Sequence, residues 1–218
     1  MTPKMLTDSE CLDRLPKSLS RCSQPLPAWA RAIAVHLPRT AAAMLQLDFA
    51  HRTMSPIDPV LRSKMRWFIA NANRCEYSKA YAVFDMQRAG ATFEISSSFT
   101  GNPDSWTEDE RDSLEFVRLL TVAAPTISDE MFQRLQRRFG DHQVASMVLL
   151  AAYGNFLDRI ILGLDLDLED SGPLAPMKIE FETGALQLKP LIPASKSSPT
   201  LRSDGTCVVD FDPDWSHI

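Results

Sequence analysis

"NRCEYSKAYAVFDMQRAG", residues 73–90, sets one cysteine at the head of a segment with helical character and places a serine three residues on, at Ser78. Going round at about 100° per residue, Cys75, Ser78 with Lys79, Ala82 and Met86 share a face. Gly90 offers the left-handed conformation that a helix C-terminus favours, so the spacing predicts a helix over 76–89. A cysteine at a helix N-terminus meets the positive end of the dipole, which favours the thiolate. The residues leave two readings open: Cys75 is a reactive monothiol, or a small buried side chain where the helix begins.

Outward from this stretch the apolar pattern is helical. Leu61, Met65, Phe68, Ile69 and Ala72 step by three and four and predict a helix over 59–73. Thr107 and Glu110 fit an S/T-x-x-E capping box and open a helix to about 123. Ser128 caps a shorter helix ended by Gly140, and 141–162 is apolar nearly all round, which requires cover on several sides. Residues 27–54 hold two more helices broken near Pro38. The methionines Met65, Met86, Met131 and Met147 read as core filling. Beyond residue 165, Ile179, Phe181, Leu186 and Leu188 flank Thr183-Gly184 and predict a small hairpin or an extended arm.

Composition narrows the function. With 218 residues and 44% hydrophobic content the chain has material for a substantial core. Its net charge of −5 and scattered basic residues give no electrostatic footprint for nucleic acid. Cys11, Cys22, Cys75 and Cys207 show no metal or disulfide spacing, and no nucleotide, haem, flavin or metal motif is present, so no cofactor is expected. The apolar run at 144–157 is shorter than the ~20 residues of a membrane span. No secretory signal is legible near the start, so the expectation is a cytoplasmic protein with neither membrane nor nucleic acid as partner.

The frame of "CEYSKAYAVFDMQRAG" resembles the carboxymuconolactone decarboxylase and alkylhydroperoxidase D-like (AhpD-like) proteins. Their redox branch carries a Glu, then after twelve residues C-x-x-C-x-x-x-H, then a Gly eight residues past the His. The likeness continues through "WTEDERDSLEFVRLLTVAAPTISDEMFQRLQRRFGDHQVASMVLLAAYGNFLDRIILGLDLDL" (106–168), and it covers residues 27–168. It implies an all-α bundle of about six to seven helices, with an N-terminal lead over 1–26 and an irregular or partly β C-terminal extension over 169–218. It also implies a homo-oligomer, as a dimer, trimer or hexamer.

On this chain the family's Glu, first Cys, second Cys and His positions read Ser63, Cys75, Ser78 and Ala82. Without a second thiol Cys75 cannot close an intramolecular disulfide, and neither Ser63 nor Ala82 carries protons. The sequence therefore favours a relative that has lost the two-cysteine peroxidase cycle and binds a small ligand or serves an assembly. The alternative is a one-cysteine hydroperoxide reductase. There Cys75 is the nucleophile, Lys79 and the helix dipole its activators, Tyr77 or Tyr81 hydrogen-bond donors, and an external thiol the reductant. His51 reads as a capping or solvated side chain, with a base arriving from elsewhere in space as the sharper reading.

Overall fold

A computed structural model describes residues 5–16, 25–92, 106–179, 181, 200–201 and 207–208. The chain divides into two compact units, 1–186 and 187–218. The expected boundaries at 26/27 and 168/169 both fall inside the first unit.

The first unit is helical: α1 (Asp8–Arg14), α2 (Ala28–Ile33), α3 (Pro38–Thr53), α4 (Pro59–Asn73), α5 (Glu76–Arg88), α6 (Glu108–Val122) and α7 (Asp129–Gly163). In the second unit, Thr200–Leu201 pairs antiparallel with Cys207–Val208. Of the stretch expected to form a hairpin, Ile179 and Phe181 are described and buried, while Leu186 and Leu188 lie outside the described residues.

Local chemistry sets the helix ends. Thr107 Oγ1 accepts from the Glu110 amide at 3.2 Å and Glu110 returns the bond to the Thr107 amide at 3.0 Å, closing the expected capping box. Asp58 accepts from the amides of Val60 and Leu61, with Pro59 preset in the first turn of α4. Gly90 follows α5 at φ +92°, where a side chain would be strained. Gly140 breaks the helical geometry within α7 at φ +75°, ψ 163°, so the expected short helix and apolar helix run on through a kink.

Two apolar clusters build the core. Met65 and Ile69 of α4, Leu114, Phe116 and Val117 of α6, and Val144, Met147 and Leu150 of α7 form one. Trp29 of α2, Ala41 and Leu45 of α3, Cys75, and Tyr153, Leu157 and Ile161 of α7 belong to the other, which also takes in Leu6 and Cys11. Each fully buried large aliphatic or Phe side chain contributes about 1.5–3 kcal/mol by leaving water. Because α7 feeds both clusters, it is the beam on which the site is assembled.

Enclosure of α7 is one-sided. Val148, Leu149, Phe156 and Leu162 stay exposed, Leu149 at 60%. The nearly all-round apolar pattern thus exceeds what one chain covers, since α3, α4 and α6 occupy a single side. By length and composition α7 could cross a membrane, yet half of its most apolar stretch is buried within the protein.

Gly154 of α7 sits where a Cβ would lie 3.0 Å from Ile69 Cγ2 and 3.3 Å from an Arg66 nitrogen. Gly154→Ala is expected to lower stability by about 1 kcal/mol net. Overpacking costs roughly 1–3 kcal/mol and the gain in helix propensity returns up to about 1. A urea midpoint equal to or above wild type would show that α4 and Arg66 yield freely.

Candidate functional site

The turn from α4 into α5 fixes the cysteine. Arg74 adopts the left-handed conformation (φ 58°, ψ 38°), unusual for a residue with a side chain, and Cys75 N donates to Ala70 O at 2.9 Å. Cys75 thereby becomes the N-cap of α5, with its side chain at 0% exposure. Its Sγ donates to Ser78 Oγ at 3.4 Å, and the Ser78 hydroxyl helps to lower the pKa of Asp158 of α7.

Asp158 anchors a buried polar knot. It is fully buried and forms a two-pronged ion pair with Arg66, through Nη2 and, at 3.1 Å, Nη1. Asn73 Nδ2 donates to Asp158 at 2.9 Å and to Asn155 at 2.8 Å. Burial pushes the Asp158 carboxyl up, but the Arg66 charge and the hydrogen bonds outweigh it and hold it below the usual range. For Cys75 burial wins: the thiol is pushed up, with the Ser78 contacts and Arg66 only partly opposing. A neutral thiol is the result.

Beside this knot lies a small cavity of ≈ 40 Å³, lined by residues of five helices. Ser63, Arg62 and Arg66 come from α4, Ser78, Ala82 and Asp85 from α5, Asp48, His51 and Arg52 from α3, Tyr153 and Leu157 from α7, and Trp29 from α2. Three of the four positions singled out by the sequence frame, Ser63, Ser78 and Ala82, therefore face one space. The fourth, Cys75, is not part of the lining.

Of the supporting residues named from sequence, Tyr77 and Tyr81 line the cavity and Lys79 does not. Lys79 pairs with Glu76 and lies 6.0 Å over the Trp67 ring, on a separate surface groove, so its charge is spent away from the sulfur. Tyr77 and Tyr81 stack at 4.9 Å and both donate to Glu169, at 2.6 and 2.9 Å. Burial first, then the Glu169 carboxylate, raise both phenols above their usual range; Tyr81 adds to the rise at Tyr77, while the Tyr77 hydrogen bond partly opposes it at Tyr81. Both hydroxyls line up on Glu169 rather than on the thiol.

His51 lines the cavity, stacked on Tyr153 at 4.5 Å. Burial lowers its pKa, with Arg62 adding and Asp48 opposing, which keeps the imidazole neutral near pH 7. Sequence reasoning did not single out Arg62, Arg66, Asp158 or Glu169. One signal was available for Asp158: it is the sole acid inside the apolar run "NFLDRIIL" (155–162). Among the described residues no group of His, Cys, Asp and Glu is arranged to hold a metal ion.

No protein-family model matches the chain, and no curated protein matches it. Solved structures do. An uncharacterized peroxidase-related protein from Silicibacter sp. TM1040 superposes with a TM-score of 0.60 at 12% identity, over 75% of this chain and 83% of that one. The apo debrominase Bmp8 gives 0.57 at 20% identity, over 67% and 79%. A putative antioxidant defence protein AhpD from Agrobacterium tumefaciens gives 0.53 at 22% identity, over 62% and 93%. At these identities the likeness speaks to architecture, and the chain has the fold of the AhpD-like, peroxidase-related proteins.

Proposed function

We propose that this protein binds a small polar ligand in the cavity between α3, α4, α5 and α7 and has lost the two-cysteine peroxidase cycle of the family it resembles. The observation that carries this reading is the separation of cavity from sulfur. Ser63, Ser78 and Ala82 border an open space, whereas Cys75 is sealed outside its lining with a thiol raised by burial. Among the described residues the hydrogen-bond partner of Cys75 is a serine, which cannot resolve an oxidised sulfur. A space of ≈ 40 Å³ is room for about three waters at ~10–15 Å³ each, far less than the 2,3,4-tribromopyrrole of the Bmp8 complex requires.

Thiol chemistry tests the first half. Alkylation of Cys75 in the folded protein is expected to stay slow at neutral pH and to accelerate only as pH climbs past the ordinary ~8.5 of a free cysteine, because burial raises its pKa. Fast sulfenic acid formation by hydrogen peroxide at pH 7, abolished in Cys75→Ala, would reverse the reading. A thermal-shift screen of small polar compounds tests the other half. Hits are expected with wild type and not with Ala82→Leu, which fills the space. Hits unaffected by that substitution would place the ligand elsewhere.

One contact favours the second reading, a one-cysteine reductase. The chain Cys75 Sγ–H to Ser78 Oγ–H to Asp158 is a route by which the thiol proton could reach a carboxylate. The sulfur would then attack a hydroperoxide, cleave the O–O bond and leave as sulfenic acid with release of an alcohol. One external thiol would condense with the sulfenic acid to a mixed disulfide with loss of water, and a second would attack that disulfide to release the Cys75 thiol and leave the external disulfide. The peroxide experiment above separates the two readings.

The protein is also proposed to be a cytoplasmic homo-oligomer, without nucleic acid or membrane as partner. Exposed apolar side chains on α3 (Leu47), at its C-cap (Met54 at 72%) and on α7 (Leu149, Phe156) support self-association. Light scattering at micromolar concentration is expected to give a multiple of the 24.4 kDa chain mass.

A further inference from the structure

Three arginines and three aspartates meet around the cavity, and they are unequally served. Arg66 has both prongs on Asp158. Arg52 has both prongs on Asp85, at 2.8 and 2.7 Å, with Leu174 O at 2.8 Å and Asp48 at 3.3 Å. Arg62 is left with His51 O at 3.3 Å, Ser63 Oγ at 3.4 Å and, at 3.8 Å, an Asp85 oxygen already held by Arg52. Each of these is longer than the usual 2.7–3.2 Å of an N–H···O bond. Arg62 is nevertheless 6% exposed and borders the open space.

A guanidinium has five donors and cannot shed its charge within a protein, so burying it beside long contacts leaves donors in need of an acceptor. Resting on the reading of the cavity as a ligand site, we propose that its occupant is a small monoanion of about formate size, received by the Arg62 fork. A planar anion with two oxygens matches that fork and supplies the short, charge-assisted bonds Arg62 lacks. Ser63 Oγ is no competitor for the anion's oxygens, because its hydrogen goes to Pro59 O at 2.8 Å.

Charge balance adds a consequence. Arg52, Arg62 and Arg66 offset Asp48, Asp85 and Asp158, so an arriving anion makes the cluster one charge too negative unless a proton accompanies it. His51 is the group able to take that proton near neutrality. Facing it are Asp48 and Arg52 of α3, Arg62 of α4, the Tyr153 ring of α7 and, across a surface groove that His51 also borders, His142 of α7. Anion binding raises the His51 pKa, hence a proton is taken up and affinity increases as pH falls from about 8 to about 5.

Calorimetry of the full chain with sodium formate at constant ionic strength tests this. Saturable binding is expected, with proton uptake seen as a dependence of the heat on the buffer's ionisation enthalpy. Affinity at pH 5.5 should be several-fold above that at pH 8, and benzoate should fail to compete. Arg62→Met should weaken formate at least ~10-fold, the loss of one charge-assisted fork. Should that variant not fold, Arg62→Lys keeps the charge without the fork and should weaken binding measurably. Undiminished formate binding in either variant, or benzoate binding as well as formate, overturns the proposal. If formate fails while neutral formamide binds, the cavity remains a ligand site and only the anion inference falls; if neither binds, the ligand-site reading falls with it.

Discussion

Asp158→Ala is expected to destabilise the protein by about 3–5 kcal/mol, read as a lower urea midpoint at unchanged slope. The carboxylate is fully buried and its removal leaves the largely buried Arg66 without its ion-pair partner. Asn73 loses an acceptor in the same stroke. Removing both charges is a different experiment. Arg66→Met with Asp158→Leu should recover most of the loss, because two apolar side chains have no desolvation to repay. A single-variant loss under about 1 kcal/mol would mean that the knot is hydrated and contributes little.

The same pair sets a pH dependence. The folded pKa of Asp158 lies below its unfolded value near 3.9, so the unfolded chain binds the proton first as pH drops. The stabilisation is complete above that unfolded value and disappears as pH falls through the depressed folded one. Wild type should therefore lose stability more steeply than Asp158→Asn in acid below about pH 4, with the two curves running parallel near neutrality.

Glu169→Ala is expected to cost about 3 kcal/mol. The carboxylate accepts from Tyr77 at 2.6 Å, Tyr81 at 2.9 Å and the Ala28 amide at 2.7 Å. Hydrogen bonds to charged groups are worth roughly 1.5–3 kcal/mol each, and they share one partner, so they do not simply add. Ala28 opens α2, whose own N-cap, Pro27, offers no side-chain bond; Glu169, 141 residues along the chain, does that work from outside. Ultraviolet titration gives a second readout. Glu169→Gln removes the negative charge beside the two phenols, and their ionisation should begin at lower pH than in wild type. An unchanged tyrosine titration would show that burial, the largest cause, acts alone.

Much of the helical layout is written locally. The four-residue rows of α4, the Thr107 to Glu110 box and the glycines at 90 and 140 each encode an outcome within one or two turns of chain. The equivalent box at Thr7 and Glu10, which opens α1, is less legible because only seven helical residues follow and carry little apolar period. Met65, Met86 and Met147 are fully buried, as their spacing indicates.

The placement of Cys75 at the head of α5 was likewise legible, and so was the absence of a second thiol. What the sulfur touches was not. Lys79, one turn on, belongs to the surface with Glu76, while burial by other helices raises the thiol and the charges of Asp158, 83 positions away, and Arg66 act on it in opposite directions.

Sequence by itself determined which segments coil and that Ser78 and Ala82 stand three and seven residues after Cys75, since helix periodicity, caps and residue identity are properties of near neighbours. Tertiary structure alone decided that Ser63, Ser78 and Ala82 share a cavity, that Arg62 borders it with only long contacts, and that the thiol is neutral. Those outcomes depend on desolvation and on pairings between helices far apart in the chain, and no local rule specifies either.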